Sequence, residues 1–367
     1  MRTYIKNKIN LLFRAIKIRK NRRVQPKNTL AVFYDLSVHP ASFDFVAFLA
    51  GAEQHRIEKG LERMSVYLVP GPIEGFRSHK NLEQNQLGNA NQEWRLQNIV
   101  IPACYLFEAC RSVGICPSRA MYKAIVNESA STYPKGYNIL RPKYFSGISG
   151  SMIGDHYRRT GIKPVIAPSS GAIERIRQWA GKEKRKIITV TLRESTYLEG
   201  RNSSIIEWQK FCLWADNVLG ARVIVLRDFE KSLVRLSGPI GRYRTMPEAE
   251  WSLQLRAALY QESHLNLMVS NGPNMIAALL EGTRTKCFKM LNEQYNCTSL
   301  KFMQDRAGLK PGESHIWAQN FECVWEEDLF CNLKRHTESV FSVECPGERH
   351  IRQPENYWAG AVILEMN

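Results

Sequence analysis

Two stretches in the second half of the chain bring guanidinium groups, amides and hydroxyls to the start of a helix. The first reads Arg193-Glu-Ser-Thr-Tyr-Leu-Glu-Gly-Arg201-Asn202-Ser-Ser204, and its Ser204-x-x-Glu207 reads as a capping box. Backbone N–H groups left open at a helix start, the helix dipole and a fork-shaped cation all favour an anion. Arg193, Arg201 and the adjacent Asn202 are therefore candidate phosphate ligands. The plain alternative is a solvated loop whose arginines pair with Glu194 and Glu199. The second stretch is Ser270-Asn271-Gly272-Pro273-Asn274, opening the run Met-Ile-Ala-Ala-Leu-Leu-Glu-Gly282. Ser or Asn can cap this helix, Pro273 suits its first turn, and Gly272 lets a ligand approach the backbone. Here the plain alternative is a well-capped helix and nothing more.

Both stretches sit where strands give way to helices. The sequence predicts strands over Lys186–Leu192, Arg222–Leu226, Leu265–Ser270 and Lys286–Met290, with helices over Ser204–Leu219, Pro247–Gln261 and Asn274–Leu280. Strands alternating with helices indicate a parallel sheet covered on both faces, and such sheets bind ligands at the carboxyl ends of their strands. In the first half we expect a strand over Thr29–Tyr34, a polar turn from Asp35 to Pro40 and a helix over Ser42–Lys59. A second strand, Ser65–Val69, stops at Pro70-Gly71-Pro72, and after the polar stretch 73–92 a helix is expected over Trp94–Val113. The segment Tyr133–Gly154, rich in Pro, Gly and Tyr, leads to a domain boundary between about 155 and 170. The expected organisation is residues 1–28 as a basic segment, 29–165 and 166–340 as two α/β domains, and 341–367 as a tail packing back on the first domain.

The charge of the chain is uneven. The formal net charge is +16, but residues 1–28 hold ten Lys or Arg and no acid, which leaves +6 for the rest. A nucleic-acid-binding fold is therefore not indicated, because the charge is a terminal tag. Within that tag Ile5, Ile9, Leu12, Phe13 and Ile16 follow one helical stripe, with Lys6, Arg14 and Lys17 off it. Such a helix lies on an anionic membrane surface. No run of eighteen apolar residues exists, and charges interrupt every candidate signal-peptide core. The nine cysteines are scattered with no C-x-x-C pair, which fits a reducing cytosol. There is no D-x-D, no P-loop, no G-x-S-x-G and no H-E-x-x-H, so the common metal-chelating transferase, NTPase, hydrolase and zincin readings are disfavoured.

The stretch LNLMVSNGPNMIAALLEGTRTKCFKM resembles the donor-binding segment of heptosyltransferase-like GT-B glycosyltransferases. KIITVTLRES…RNSSIIEWQKFCLWADNVLGARVIVL resembles the opening of the same nucleotide-binding half, and Arg193 is similar to the donor-phosphate arginine of fucosyltransferase-like members. The resemblance covers roughly residues 186–291. It departs from the heptosyltransferase pattern in having Asn271-Gly272 where an acid and a Ser are common, and Arg201 where Lys is common. It implies an α/β fold of two Rossmann-like domains with parallel sheets, preceded by the basic amphipathic helix. It also implies a nucleotide-sugar donor held by Arg193, Arg201, Asn202, Ser270, Asn271, Gly272 and Asn274, with base and sugar contacts at Trp317, Glu326 and Glu327.

In this fold the acceptor lies on the first domain, and a carboxylate there often serves as general base. The candidates are Asp35, at the expected end of strand one, Asp44, which can equally be a first-turn acid of a helix, and His39. Diphosphate departure in GT-B sites is assisted by Arg and helix termini, so no metal or other cofactor is expected. The resulting expectation is a cytoplasmic glycosyltransferase, peripheral on the inner membrane face through residues 1–25. It would act on a lipid-linked or surface polysaccharide acceptor, with inversion and without nucleic acid as partner. The rivals are a sugar-nucleotide epimerase of the same fold, a basic nucleic-acid-binding protein and a membrane scaffold.

Overall fold

The computed structural model describes residues 28–77, 89–115, 118–143, 150–182 and 185–344. The expected amphipathic helix over residues 1–28 and the tail beyond residue 344 lie outside them. The described chain forms two parallel sheets, one in each half. The first has the order β3-β2-β1-β4, with β1 over Thr29–Asp35, β2 over Arg63–Val69, β3 over Cys110–Ile115 and β4 over Thr132–Tyr133. Every residue of β1 is buried. A near-continuous apolar run is what a strand covered on both faces requires. Between β1 and β2 runs helix α1, Asp44–Glu58, whose Phe45, Phe48, Leu49 and Ala52 are buried.

The helix expected over Trp94–Val113 is three pieces and a strand. Helix α2, Asn89–Arg95, passes through a π-helical turn, Leu96–Val100, into the short α3, Ile101–Cys104. Pro102 has no N–H to give to the preceding turn, and the widened turn before it accommodates the ring. The chain then enters β3, an edge strand with a burial pattern that does not alternate. Its Cys-Arg-Ser-Val-Gly-Ile therefore carries no period-two signal to read. Helix α4, Arg119–Glu128, covers the opposite sheet face to α1, packing Tyr122 on Phe33 and Val69. Helices α5, Gly150–Thr160, and α6, Ser170–Ala180, lead into the second half.

The second sheet has the order β6-β5-β7-β8-β9, all parallel, with β5 over Ile187–Thr191, β6 over Arg222–Leu226, β7 over Leu265–Val269, β8 over Thr285–Phe288 and β9 over Phe321–Cys323. Helix α7, Ile205–Asn217, follows β5. The single helix expected over Pro247–Gln261 breaks into α8, Glu248–Trp251, and α9, Leu253–Glu262. Ser252 causes the break, because its hydroxyl accepts from Leu255 N at 3.3 Å and caps the second piece. Helix α10, Asn274–Leu279, links β7 to β8, and α11, Phe330–Glu344, packs on α7.

One buried apolar cluster runs through both halves. It joins Phe45 and Phe48 of α1 to Leu259 and Tyr260 of α9 and to Ile276 and Leu279 of α10. The two lobes are thus fused at their base, and the carboxyl edges of their sheets face each other. Among the described residues no helix is long and apolar enough to cross a membrane.

Candidate functional site

A cleft of about 380 Å³ lies between the two carboxyl edges. The first lobe lines it with the loop and first turn at 40–44, with Arg77, and with Trp94 and Arg95. The second lobe supplies the Arg193–Arg201 loop, Asp228 and Phe229 after β6, Trp251, and Asn271-Gly272-Pro273 after β7. Both arginine-bearing and asparagine-bearing stretches singled out in the sequence thus meet at one cavity.

The Arg193 loop is pre-shaped by its own arginine. Arg193 is 6% exposed; its Nη1 donates to Leu198 O at 3.0 Å and to Asn202 Oδ1, and its Nη2 to Tyr197 O at 2.5 Å. Leu198 is held at φ +56°, a left-handed conformation that costs a residue with a side chain about 1–3 kcal/mol. Asn202 closes the loop from the other side, donating to Ser195 O at 2.9 Å and accepting from Ser195 N at 3.1 Å. The pairing with Glu194 offered by the plain alternative does not occur, because Arg227 takes that carboxylate with two bonds of 2.6 Å. Burial lowers the Arg193 pKa and the nearby Arg201 charge pushes the same way.

Arg201 joins the two stretches. Its Nη2 donates to Ser270 O at 3.0 Å and its Nη1 to Cys297 Sγ at 3.3 Å. Neither Arg193 nor Arg201 forms an ion pair among the described residues. Arg201 Nε and Asn271 Nδ2 are buried with no hydrogen-bond partner. Two adjacent guanidiniums without an acid partner can receive a doubly charged anion. Asn274 lies behind them. With its amide turned to suit its neighbours it donates to Val269 O at 3.2 Å and Asn271 Oδ1 at 2.7 Å, and accepts from Asn271 N at 3.2 Å. Gly272 lines the cleft, and a Cβ there would come within 2.4 Å of the Phe43 ring. The glycine admits an aromatic ring from the opposite lobe.

The anticipated capping box is also replaced. Ser204 makes no side-chain cap to its own helix. Its N and Oγ bond to Asp328 at 2.8 and 2.9 Å, and Trp208 Nε1 bonds the same carboxylate at 2.7 Å. Asp328 is 0% exposed, and Lys289 stands 3.8 Å away while donating to Asn202 O at 3.0 Å. This buried acid anchors the helix start into which the arginine loop runs. The sequence offers no local mark for it, because its partners lie more than a hundred residues earlier.

The residues considered for sugar and base contacts do not line the cleft. Trp317 is a core residue, 1% exposed, with its Nε1 donating to Gly150 O at 3.2 Å. Glu326 pairs with Arg335, and Glu327 lies 3.8 Å from Lys289.

Of the three candidate bases, Asp44 alone lines the cleft. Asp35 is 1% exposed and accepts from Arg119 Nη1 and Nη2 at 2.8 and 2.9 Å, from Ser37 Oγ at 2.6 Å and from the Tyr137 hydroxyl at 2.5 Å. Burial pushes its carboxyl up, but the hydrogen bonds from Arg119, Ser37 and Tyr137 outweigh it and hold the pKa below the ordinary value. His39 is buried against the Tyr34 ring, 4.9 Å between centroids, and desolvation lowers it to about 4. Asp44 opens α1, is exposed, and lines the cleft between the lobes. The surrounding protein raises its pKa, against the pull of Ser42, Arg77 and Arg95. Among the described residues no group of three or more His, Cys, Asp or Glu is placed to hold a metal ion.

Across the mouth of the cleft Trp94 of α2 stacks on Phe229, with ring centroids 3.3 Å apart and planes 8° from parallel. Arg95 lies over the same Phe229 ring at 5.8 Å.

No protein-family model matches the chain, and no curated protein is similar to it in sequence. Solved structures are similar in fold. The ADP-heptose lps heptosyltransferase II of E. coli aligns over 86% of this chain and 99% of its own, at 8% identity and a TM-score of 0.50. A family 9 glycosyl transferase of Veillonella parvula aligns over 90% and 91%, at 9% identity and 0.45. E. coli heptosyltransferase WaaC with ADP aligns over 85% and 99%, at 11% identity and 0.43. The arrangement of two parallel-sheet lobes about a cleft is that of heptosyltransferase II, and the chain has the GT-B fold.

Proposed function

We propose that the cleft transfers a sugar from a nucleoside-diphosphate sugar to a hydroxyl of a glycan or glycolipid, without a metal ion. One observation carries this reading. Two guanidiniums with no acid partner among the described residues stand across a single cleft from an exposed carboxylate, Asp44, that lines the same cleft. The name of heptosyltransferase II, a protein of the same fold, speaks of ADP-heptose and lipopolysaccharide, which supports a nucleotide-sugar donor and a glycan acceptor.

In this proposal Asp44 takes the proton of the acceptor hydroxyl as its oxygen bonds to the anomeric carbon. The bond from that carbon to the phosphate oxygen breaks, and the diphosphate leaves with the electron pair. Arg193 and Arg201 offset the charge that develops there, and their hydrogen-bonded loop needs no rearrangement to do so. A single displacement of this kind inverts the anomeric centre. Residues 1–25 are assigned to the cytoplasmic membrane face, near a lipid-linked acceptor. If a chain without them sediments with vesicles as well as the full chain does, the tail is not an anchor.

The test is a thermal-shift panel with ADP, GDP, UDP, CMP and their common sugar conjugates. A ligand that binds only the folded state raises the melting temperature. One base class is expected to give a shift that disappears in Arg201→Ala. No shift with any of them at millimolar concentration would sink the donor site. Product analysis with donor alone separates the transferase from an epimerase, which needs no acceptor.

A further inference from the structure

The chain leaving β6 lines the cleft with Asp228 and Phe229 and then makes a turn that the cleft does not use. Val234 N donates to Lys231 O at 3.1 Å, which puts Ser232 and Leu233 at the tip. Turn tips favour Gly, Asn, Asp and Ser. This one carries Leu233, 91% exposed, followed by Val234, 53% exposed. Among the described residues no other large apolar side chain is as exposed as Leu233. The turn has a fixed frame. Buried Arg227 donates from Nη1 to Lys231 O at 2.9 Å and to Val234 O at 2.5 Å, and Arg244 Nη2 donates to Ser232 O. Three carbonyls of the turn are thus held by guanidiniums, and the frame keeps Leu233 in solvent.

The charge around the tip points to the partner. Between Glu230 and Glu248 the chain carries Lys231, Arg235, Arg242 and Arg244 and no acid. Glu250 neutralises Arg244. Lys231 and Arg235 form no ion pair among the described residues, and Arg235 is exposed. Each is two residues from Leu233, and two residues of chain reach at most about 7 Å, so both cations stand beside the tip. Behind it Arg235, Ser237, Gly238 and Arg242 line an open depression of about 650 Å³. The acid that meets Arg242 there, Asp216 at 3.2 Å, is shared with Arg185 at 3.4 Å, which leaves a positive excess. Two adjoining apolar side chains at a fixed tip, cations on either side and a basic hollow behind match an anionic bilayer surface.

We propose that the turn at 231–235, with the depression behind it, docks on an anionic lipid bilayer. Leu233 and Val234 enter the acyl boundary, while Lys231, Arg235 and Arg242 meet phosphate-bearing head groups. Four residues of chain span at most about 14 Å, so the tip lies within that distance of Phe229, which stacks on Trp94 at the cleft mouth. A bilayer engaged by the turn therefore lies beside the mouth. This surface belongs to the folded second lobe and is separate from residues 1–25. Lipid binding at the turn does not depend on what chemistry the cleft performs, so its failure leaves the nucleotide panel above untouched, and the reverse also holds.

The experiment has two readouts on the full chain, with vesicles either zwitterionic or containing about a third anionic lipid. The first is insertion of the tip. Leu233→Trp is expected to gain emission that brominated acyl chains in anionic vesicles quench. Leu140→Trp, at a residue 75% exposed on the first lobe, is the control and is expected to gain none. This readout is specific to the turn even where residues 1–25 also bind lipid. The second is partitioning by sedimentation. Lys231→Glu with Arg235→Glu is expected to weaken it about thirtyfold or more, and Leu233→Glu with Val234→Glu about as much, with thermal melting of each variant confirming that the fold persists. Inorganic phosphate is expected to displace the chain no better than chloride of equal ionic strength. The proposal is overturned if bound Leu233→Trp is not quenched, if the control is quenched equally, or if both double variants partition like the parent. It is equally overturned if phosphate alone displaces the chain, which makes the depression a free-phosphate site. A dimer in sedimentation velocity that Leu233→Glu with Val234→Glu abolishes without altering lipid binding overturns it too.

Discussion

The end of β1 and the start of α1 each carry an aspartate, nine positions apart, and the two have opposite lives. Asp35 is sealed in and its charge is matched by Arg119, Ser37 and Tyr137. Asp44 is exposed at the cleft between the lobes, with no cation within bonding distance among the described residues. The hydrogen bonds lower one pKa and desolvation by the surrounding protein raises the other. Position along the chain did not decide this. Arg119, arriving from a helix more than eighty residues later, did.

The contrast is sharpest in Asp44→Asn. Loss of a general base lowers turnover by about 10²–10⁴-fold, while nucleotide affinity stays within about twofold, as steady-state product formation and calorimetry will read. A variant retaining more than a tenth of the activity removes Asp44 from the chemistry. Asp35→Ala works on the fold. It strands the Arg119 guanidinium, and breaking such a buried pair costs about 3–5 kcal/mol, measured by urea unfolding. Arg201→Ala probes the opposite wall, where one charge-assisted bond is worth about 1.5–3 kcal/mol. Nucleoside-diphosphate binding should weaken about ten- to a hundredfold with little change in melting temperature.

The smallest effect is the most discriminating. Asp35 has a folded pKa below the ordinary 3.8, so its stabilisation is complete above that value and is lost as pH falls through the lowered folded pKa. Asp44 has a folded pKa above 3.8, so its charged form costs stability at neutral pH, and that cost is relieved as pH falls through the raised value. Melting curves against pH for the two Asn variants, each taken relative to the parent, should therefore slope in opposite directions. Parallel slopes would erase the distinction.

Much of the second lobe was legible because its strands are short apolar runs bounded by turn residues. Lys186–Leu192, Arg222–Leu226 and Leu265–Ser270 each fall within a residue or two of the strands found. The loops at their carboxyl ends could be named because ligand-bearing loops in parallel sheets sit there. Three things were not legible. The edge strand Cys110–Ile115 has one neighbour and no alternation. The Ser204 cap was read locally, whereas the acid that serves it is Asp328, whose burial nothing in Glu326-Glu327-Asp328 announces. Gly272 also makes room for the Phe43 ring from across the lobes, a contact the local sequence does not announce. Each miss is a contact between distant segments, which periodicity and capping rules do not see.

The Trp94–Phe229 stack gives the protein an optical gauge. One ring belongs to each lobe, so widening of the mouth separates an indole from its quenching neighbour and moves it toward water. The lobes are joined by a shared core. Emission from Trp94, isolated by comparison with Trp94→Phe, then reports the spacing of the lobes at the cleft mouth. Stopped-flow mixing with a nucleotide can thereby show whether ligand binding changes that spacing.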